Sequence, residues 1–358
     1  MIPVNKPYLP TFEKYTKYLE RVYDKAWLTN NGPLVQELKS RLEEYLGVKN
    51  LLLVANGTLA MQLAYKVFNL KGNAVTTPFT FIATSSSLAW EGITPKFVDI
   101  DPITYNLCPI KTTQAIDDKT SAIVPVHVYG NPCNVEAFEK IGREHKVKVI
   151  YDAAHAFGVK VNGSSVLNYG DASTLSFHAT KVFHSVEGGA VIFRNDDDYE
   201  RAVLMSNFGI DTKTMNIIDC GINTKMSEVH AAMGLAVLDD IELIMEKRVA
   251  LFDLYKQQLA GEARFPQWHI NGTTNGSYMP VTFESSIVSE MVLNHLMNNS
   301  IFARRYFSPS LNTLTEFSGS AGCANSECLA SRTLCLPLYA ELEAEDVIKV
   351  ANCIKETL

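Results

Sequence analysis

The sequence lacks several features that would assign it to a special class of protein. No run approaches the about 20 consecutive apolar residues that a membrane-spanning helix needs. Met1–Pro10 has no charged segment followed by an apolar one, so we do not predict a signal peptide. The seven cysteines are scattered, with no CxxC pair and no metal-ligand spacing. We therefore expect no metal site, no membrane association and a reducing, cytoplasmic compartment.

Positive charge is also scarce. The chain has 32 Lys and Arg residues against 39 Asp and Glu residues, which gives a formal net charge of −7. Proteins that bind the nucleic-acid backbone normally carry a clustered basic face, so this balance argues against a nucleic-acid polymer as partner. It does not exclude a small anionic substrate, because a pocket can be locally positive on an acidic protein. Apolar residues are abundant, at 47% of 358 residues, which is enough for a buried core and about two domains.

Between residues 50 and 200, short apolar runs alternate with helical patterns. The predicted strands are Leu51–Ala55, Ala74–Thr77, Pro95–Val98, Ser121–Val126, Val147–Tyr151, Ser173–Phe177 and Gly189–Phe193. The predicted helices between them are Thr58–Asn69, Ala83–Glu91, Lys111–Ile116 and Asn134–His145. This alternation is typical of an α/β fold with a mostly parallel sheet covered on both faces. In such folds, ligands bind outside the carboxyl ends of the strands.

The sequence predicts three unequal parts. Residues 1–30 are expected to form an N-terminal arm and helix that pack on the rest of the chain. Residues 31–240 are expected to form the large α/β domain. Residues 241–358 are expected to form a linker helix and a small C-terminal α+β domain. A helical pattern that runs from Ser227 to about Leu259 leads from one domain to the other.

The first polar segment of interest is Asn56-Gly57-Thr58, which lies between a predicted strand and a predicted helix. Glycine permits close approach of a ligand to the backbone, threonine supplies a hydroxyl, and a helix N-terminus offers free N–H groups. Together these groups can bind a phosphate. An ordinary helix cap is the alternative for this segment taken alone.

Two further polar segments follow strands. Asp152 ends an apolar strand, where a carboxylate can hold a proton on a heterocyclic nitrogen, bind a metal or cap the next turn. Lys181 lies in the uncharged run Ser176-Phe-His-Ala-Thr-Lys181. A lysine in such a place can be desolvated, which lowers its pKa and makes it a nucleophile toward a carbonyl. A solvated surface lysine is the ordinary alternative.

The three segments are consistent with one cofactor. A phosphate site, an acidic group for a ring nitrogen and an amine for an aldehyde match pyridoxal 5'-phosphate (PLP). Asp152 would keep the ring nitrogen protonated. Lys181 would form the Schiff base and then carry a proton between the substrate and the cofactor.

Longer runs around these residues resemble a known family. The runs are Asp152–His155, Ser176–Lys181 with Glu187-Gly188-Gly189, and Gly221–Glu228. They resemble the signatures of the DegT/DnrJ/EryC1/StrS family, which are PLP-dependent sugar aminotransferases of the aspartate aminotransferase fold (fold type I). The resemblance covers nearly the whole chain. It implies PLP as cofactor, with pyridoxamine 5'-phosphate as its amino form, and a homodimer whose subunits share their active sites.

The resemblance also implies roles for single residues. Lys181 is the Schiff-base lysine, and Asp152 pairs with the pyridine nitrogen. The other cofactor residues are Gly57, Thr58 and Ser176 on the phosphate, Phe81 stacked on the ring, His155 near the ring oxygen, and Asn223 on the phosphate of the neighbouring subunit's cofactor. Tyr306 falls in a stretch that resembles the family's substrate-side loop. A nucleotide pyrophosphate is charged and needs basic groups around it, so we also expect Lys25, Arg304 and Arg305 on the substrate side. For the two arginines, a solvated helix end is the alternative.

Three further runs of the sequence bear on the substrate. The runs Trp27–Pro33, Val54–Thr58 and Val126–Pro132 resemble the branch that transfers the amino group of L-glutamate to C4 of dTDP-4-keto-6-deoxy-D-glucose. The product, dTDP-4-amino-4,6-dideoxy-D-glucose, would serve O-antigen or other surface glycan synthesis. The alternative is C3 amination of a dTDP-3-keto-6-deoxyhexose, because both branches share the cofactor motifs.

Two other classes are less compatible with the sequence. A nucleotide-binding dehydrogenase would need a glycine-rich fingerprint after a strand, and none is present. A family member without chemistry, kept as a regulatory protein, is compatible with the fold alone. The presence of both Asp152 and Lys181 argues against it.

Overall fold

The computed structural model describes residues 1–317 and 322–358. The helices are α1 (Phe12–Lys25), α2 (Pro33–Leu46), α3 (Gly57–Val67), α4 (Ala83–Trp90), α5 (Pro109–Ala115), α6 (Val135–His145), α7 (Asp196–Met205), α8 (Glu228–Leu238), α9 (Ile241–Gln258), α10 (Ser286–Asn298), α11 (Ala324–Arg332) and α12 (Ala344–Lys355). The strands are β1 (Leu51–Val54), β2 (Asn73–Thr76), β3 (Thr94–Phe97), β4 (Thr120–Val124), β5 (Lys148–Asp152), β6 (Lys160–Val161), β7 (Ser164–Ser165), β8 (Ala172–Ser176), β9 (Gly189–Phe193), β10 (Met279–Thr282) and β11 (Thr333–Leu336).

The centre of the large domain is a seven-stranded sheet in the order β1-β9-β8-β5-β4-β2-β3. The pairs β8–β5, β5–β4, β4–β2 and β2–β3 are parallel, and β9 is antiparallel to both of its neighbours. The predicted α/β fold with a mostly parallel sheet is therefore confirmed. Each strand predicted between residues 50 and 200 has a counterpart, and β9 has the predicted bounds. The short hairpin of β6 and β7 was not predicted, since two-residue strands leave no periodic pattern.

The single helix predicted from Ser227 to about Leu259 is wrong in one respect. The structure divides it into α8 and α9, with Asp239 and Asp240 between them. Both carboxylates bind side chains from the first part of the chain. Arg41 Nη2 donates to Asp239 over 2.8 Å, and Tyr8 O–H donates to Asp240 over 2.9 Å. These long-range contacts fix a bend that the local helical pattern does not reveal.

Glu228, the first residue of α8, stabilises the start of α2. Its side chain is buried, with 1% exposed, and its carboxylate accepts hydrogen bonds from the N–H groups of Leu34 and Val35 at 2.8 and 2.9 Å. Helix α2 has Gly32 at its N-cap and therefore no capping side chain of its own. A carboxylate at a helix N-terminus satisfies free N–H groups and complements the helix dipole. The start of α2, which follows α1 in the chain, is thereby bound to α8.

The C-terminal part of the chain forms an α+β unit with its own apolar core. Strands β10 and β11 pair antiparallel, and α9, α10 and α12 pack with them around a buried cluster that includes Leu251, Val281, Leu334 and Val350. This agrees with the predicted small α+β domain. The domain limits at residues 30 and 240 stay predictions.

The C-terminal part is fastened to the sheet edge at two places. Asp99, just after β3, accepts hydrogen bonds from the N–H groups of Asn325 and Ser326 at the start of α11, at 3.1 and 2.9 Å. The Leu311 N–H donates to the Pro78 carbonyl over 3.0 Å. Leu311 is thereby held near the carboxyl end of β2, and the start of α11 near that of β3. Among the helices of the described residues, none combines the length and apolar character that crossing a bilayer requires.

Candidate active site

Asp152 lies at the carboxyl end of β5, and its side chain is almost fully buried, with 6% exposed. One carboxylate oxygen accepts a hydrogen bond from Thr84 Oγ1 over 2.7 Å, and the other accepts from the Ala154 N–H over 3.1 Å. The Thr84 hydroxyl is in turn 3.0 Å from the Thr80 hydroxyl. Burial raises the pKa of Asp152, while these two donors and the nearby Lys181 act in the opposite direction. The carboxylate is therefore held in one orientation, and a positively charged partner would stabilise its ionised form against the cost of burial.

Lys181 lies in the loop between β8 and β9, one strand away from Asp152. Its N–H donates to the His178 carbonyl over 2.9 Å, which closes a turn, and its Nζ is 3.4 Å from the Tyr278 hydroxyl oxygen. Burial lowers the pKa of Lys181 to about 8, and the negative charge of Asp152 opposes that shift. A larger fraction of this amine is neutral near pH 7 than in a surface lysine. The neutral form is the nucleophile and the base.

The N-terminus of α3 is packed tightly against the end of β8. A Cβ atom added to Gly57 would lie 2.9 Å from the Ser176 Cβ, so the two residues meet almost backbone to backbone. A Cβ atom on Gly189 would lie 2.5 Å from the carbonyl carbon of Asn56, and Asn56 caps the helix through the Leu59 N–H at 2.9 Å. This close approach brings Ser176 against the N-terminus of α3, where Thr58 follows Gly57 and free N–H groups suit a phosphate.

His155 is buried, with 4% exposed, and lies close enough to Lys181 to interact with its charge. Its ring stacks on Phe307 with centroids 5.7 Å apart and meets the edge of Tyr278 at 4.8 Å. Burial keeps the pKa of His155 well below its ordinary value, with a further contribution from the Lys181 charge, so the imidazole is neutral. Its Nδ1 is buried and has no hydrogen-bond partner in the described part of the chain. An unpaired polar atom in this place indicates that a ligand atom completes the site.

Phe81 and Asn223 are both exposed, as residues that await a ligand or a partner would be. Phe81 follows β2 and has 59% of its surface exposed. Asn223 precedes Thr224, whose carbonyl accepts a hydrogen bond from the Ala55 N–H over 2.7 Å. The residue after Asn223 therefore pairs with the segment just before Gly57 of the same chain. Its predicted reach into a neighbouring subunit stays a prediction.

The predicted substrate residues fall into two groups. Tyr306 lies in the site, because its ring is 5.4 Å from that of Tyr278, and Arg304 Nη1 is 3.4 Å from the Tyr306 hydroxyl. Arg305 instead forms an ion pair with Glu290 of α10 over 2.7 Å, so its guanidinium is engaged away from Lys181. Lys25 is exposed at the end of α1, and none of the contacts described above for Lys181, Asp152 and His155 include it. For Lys25 and Arg305 a substrate role stays a prediction.

Sequence reasoning missed four residues that the structure places at or directly behind the site. Thr84 contacts Asp152, Tyr278 contacts Lys181, and Phe307 contacts His155. Arg248 binds the backbone just before Tyr278. For Thr84 a signal was available, because it is the second residue of α4 and follows the loop after the carboxyl end of β2, where ligands of such sheets bind. The other three come from the C-terminal part of the chain, and nothing in their local sequence marks them.

The described residues fit PLP. The glycine-lined start of α3 with two hydroxyls suits a phosphate, the buried carboxylate of Asp152 suits a protonated ring nitrogen, and the Lys181 amine suits an aldehyde. The unpaired His155 Nδ1 and the exposed Phe81 ring lie on elements that border the same strand ends. Each chemical group of the cofactor thus has a matching group in the protein.

Comparison with known proteins agrees with this geometry. The model of the DegT/DnrJ/EryC1/StrS aminotransferase family matches residues 11–355. A dTDP-4-amino-4,6-dideoxy-D-glucose transaminase from Shigella dysenteriae is 41% identical over 361 residues, which cover 99% of this chain and 98% of the relative. An Escherichia coli protein of the same name is 39% identical over 364 residues, with the same coverage.

The fold leads to the same group of proteins. The crystal structure of DesI in the presence of its TDP-sugar product superposes with a TM-score of 0.94 at 33% identity, covering 99% of this chain and 92% of that one. The family match covers nearly all of the chain, and the alignment with the Shigella relative covers 99% of it. The chain therefore belongs to the DegT/DnrJ/EryC1/StrS aminotransferase family and is a PLP-dependent sugar aminotransferase.

Proposed function

We propose that this enzyme transfers the amino group of L-glutamate to C4 of dTDP-4-keto-6-deoxy-D-glucose. The products are 2-oxoglutarate and dTDP-4-amino-4,6-dideoxy-D-glucose. The observation that carries the proposal is the identity of 41% and 39%, over nearly the whole chain, with two relatives named for this transaminase. DesI, at 33% identity, was crystallised in the presence of its TDP-sugar product, which supports a thymidine nucleotide as the carrier.

Lys181 is the proposed catalytic residue. Its amine would hold the cofactor, and as a neutral base it would take the proton from Cα of glutamate and later deliver a proton to C4 of the sugar. When bound, PLP supplies a ring that withdraws electrons from the substrate carbon whose proton is removed. The pKa of about 8 suits both directions, because the amine can gain and lose a proton close to neutral pH.

Asp152 is the proposed partner of the ring nitrogen. The Thr84 hydroxyl and the Ala154 N–H already occupy its two carboxylate oxygens with one hydrogen bond each, at 2.7 and 3.1 Å. Each oxygen keeps capacity for a further donor. A positively charged N–H would then offset the burial of the carboxylate, which favours the protonated form of the ring nitrogen.

The nucleotide is expected to bind on the side of the small domain. Arg304 is exposed beside Tyr306, and the Tyr306 hydroxyl is close enough to Lys181 to influence its pKa. Guanidinium groups bind phosphate oxygens well because their donors form a planar fork. We propose that Arg304 and Tyr306 contact the substrate, and that Lys25 does so from the N-terminal helix.

The site of amination is the decisive test. We expect purified enzyme, incubated with L-glutamate and dTDP-4-keto-6-deoxy-D-glucose, to form 2-oxoglutarate and an amino sugar in equal amounts. NMR of the product should place the amine at C4. Lys181→Ala enzyme serves as the control for any reaction that does not depend on the site. An enzyme that is inert with the 4-keto sugar but aminates a dTDP-3-keto-6-deoxyhexose would contradict the proposed substrate and support C3 amination.

We also propose that the active unit is a homodimer with shared sites. The segment from residue 207 to 223, which ends in Asn223, forms a short hairpin joined by the Ile210–Ile217 bridge. It presents several large apolar side chains to solvent, namely Phe208, Met215, Ile217, Ile218 and Ile222. A single exposed apolar side chain needs no explanation, but a cluster of this kind is typical of an interface. A second subunit would cover it and bring Asn223 toward the neighbouring site.

Subunit mixing tests the shared site. We expect Lys181→Ala and Asn223→Ala homodimers each to have little activity, and an equimolar, re-associated mixture to recover about one quarter of the wild-type activity. Half of the dimers would be mixed, and each mixed dimer would contain one site free of both substitutions. If Asn223 acts within its own subunit, every site in the mixture carries one of the two changes and mixing restores nothing. A mixture that is kept from exchanging subunits is the control.

We place the enzyme in the cytoplasm. The seven cysteines contain no CxxC pair, and their scatter agrees with a compartment in which thiols stay reduced.

A further inference from the structure

Tyr278 contacts the predicted catalytic lysine although it lies 97 residues further along the chain. Its hydroxyl oxygen is 3.4 Å from Lys181 Nζ, and this Nζ is 5.9 Å from the centroid of the Tyr278 ring. The ring meets the His155 imidazole edge to face at 4.8 Å and the Tyr306 ring at 5.4 Å. Tyr278 is thus the described side chain that donates or accepts a hydrogen bond at the lysine amine.

The segment before Tyr278 is fixed from two sides. Asn275 Nδ2 donates to the carbonyls of His155 and Phe157, at 2.8 and 3.0 Å, which ties the segment to the large domain. Arg248 of α9 donates from Nε to the Gly276 carbonyl and from Nη2 to the Ser277 carbonyl, both at 3.0 Å. Two buried side chains therefore determine where the Tyr278 ring emerges. A residue that only filled space would not need anchors on both domains.

The surroundings keep the Tyr278 hydroxyl neutral. Burial raises its pKa strongly, while the positive charge of Arg248 acts in the opposite direction. Arg248 has 4% of its surface exposed and forms no ion pair with any residue of the described ranges 1–317 and 322–358. A neutral phenol can accept a hydrogen bond from an ammonium and donate one to a neutral amine. Tyr278 can therefore remain bonded to Lys181 whether the amine carries the extra proton or not.

We propose that Tyr278 is a positioning residue for Lys181. The Tyr278 hydroxyl orients the Lys181 amine and accepts a hydrogen bond from it when the amine carries the extra proton. The hydroxyl itself neither gains nor loses a proton over the cycle. Lys181 takes one proton from a substrate carbon and returns one, and Tyr278 holds the amine at the same place in both states. This inference rests on the proposed role of Lys181.

The test is the pH dependence of cofactor capture by apoenzyme. Only the neutral amine can attack the aldehyde of PLP, with the amine nitrogen bonding to the aldehyde carbon and one water leaving. Mixing apoenzyme with PLP and following the visible absorbance of the bound cofactor reports this step without any sugar substrate. For the wild type we expect the capture rate to rise with pH and to level off above a midpoint near 8, because burial lowers the pKa of Lys181 to about 8.

Tyr278→Phe should change this profile in a defined direction. Both forms of Lys181 lose a hydrogen bond, but the bond of the ammonium is charge-assisted and the stronger of the two. The pKa should therefore fall, and the midpoint should move at least about one pH unit lower. The plateau rate should fall about tenfold, because the amine is no longer oriented. The ring and its contacts with His155 and Tyr306 remain, so the variant should fold, which circular dichroism verifies.

Tyr105→Phe is the matched control. It removes a buried tyrosine hydroxyl that bonds to Thr282 over 2.9 Å in the same aromatic cluster but does not touch Lys181. Its capture profile should match the wild type. A Tyr278→Phe profile that coincides with both would overturn the role of Tyr278 and leave the proposed role of Lys181 intact. Wild-type apoenzyme that captures no PLP would overturn both.

Discussion

Lys181→Ala enzyme is expected to show no visible absorbance from bound cofactor and to lose at least about 10⁴-fold in turnover. The substitution would remove both the amine that we propose holds the cofactor and the base that we propose moves the proton. Lys181 has a lowered pKa because it is buried, and it lies one strand from Asp152 at the carboxyl edge of the sheet. Absorbance spectroscopy of the purified variant and a glutamate-dependent assay measure the two effects separately.

Lys181→Arg tests whether a positive charge at this position is sufficient without a group that can act as nucleophile or base. Arginine keeps a positive side chain of similar length, but its guanidinium stays protonated and cannot act as nucleophile or base. We therefore expect the arginine variant to match the alanine variant in both measurements. Lys160→Ala, at an exposed lysine of the hairpin strand β6, is the control and should resemble the wild type. A visible band of wild-type intensity in either Lys181 variant would contradict the assigned role.

The central sheet could be predicted from the sequence because its strands are short apolar runs between helical patterns. Strands of this kind are buried on both faces, so almost every residue of β4, β5 and β9 is buried and the run stands out. The strand order, by contrast, depends on which runs pair across the molecule. The break between α8 and α9 also escaped prediction, since Asp239 and Asp240 are held by side chains that lie about 200 residues earlier.

The candidate site was predictable where its chemistry is local. Asp152 ends β5 and Lys181 lies in the loop after β8, and parallel strands carry such residues to one edge of the sheet. Tyr278 and Arg248 could not be predicted in this way, because their roles come from the packing of the C-terminal part on the large domain. Arg305 lies beside Arg304 in the sequence, which suggested a shared role. Successive residues of an extended segment point to opposite sides, and Arg305 pairs with Glu290, so its substrate role stays a prediction.

Asp152→Asn is the second substitution for which we expect a large effect. The amide is nearly the same size as the carboxylate and can still accept a hydrogen bond from Thr84 Oγ1 or the Ala154 N–H, but it carries no charge. It would no longer favour a protonated ring nitrogen, so we expect turnover to fall about 100- to 1000-fold. Steady-state kinetics with saturating PLP measure this loss. Asp118→Asn, at an exposed aspartate, is the control and should leave turnover unchanged.

The same substitution should act in the opposite direction on the stability of the apoenzyme. Burial raises the folded-state pKa of Asp152 above its unfolded value, so the stability that this group contributes is present at low pH and is lost as the pH rises through the folded pKa. At pH 7 the ionised carboxylate therefore costs free energy in the apoenzyme. Asp152→Asn removes that cost, and the Tm of the apo variant should equal or exceed that of the wild type.

Addition of PLP should then reverse the order of the two Tm values, so that the wild type melts above the Asp152→Asn variant. The wild type gains stability in proportion to how tightly its folded state binds the cofactor, and the variant gains less because its partner for the ring nitrogen is neutral. Thermal melts of both proteins with and without PLP would reveal the crossing. If the apo variant melts well below the wild type, the carboxylate contributes to the fold itself. The loss of turnover could then no longer be ascribed to the ring nitrogen.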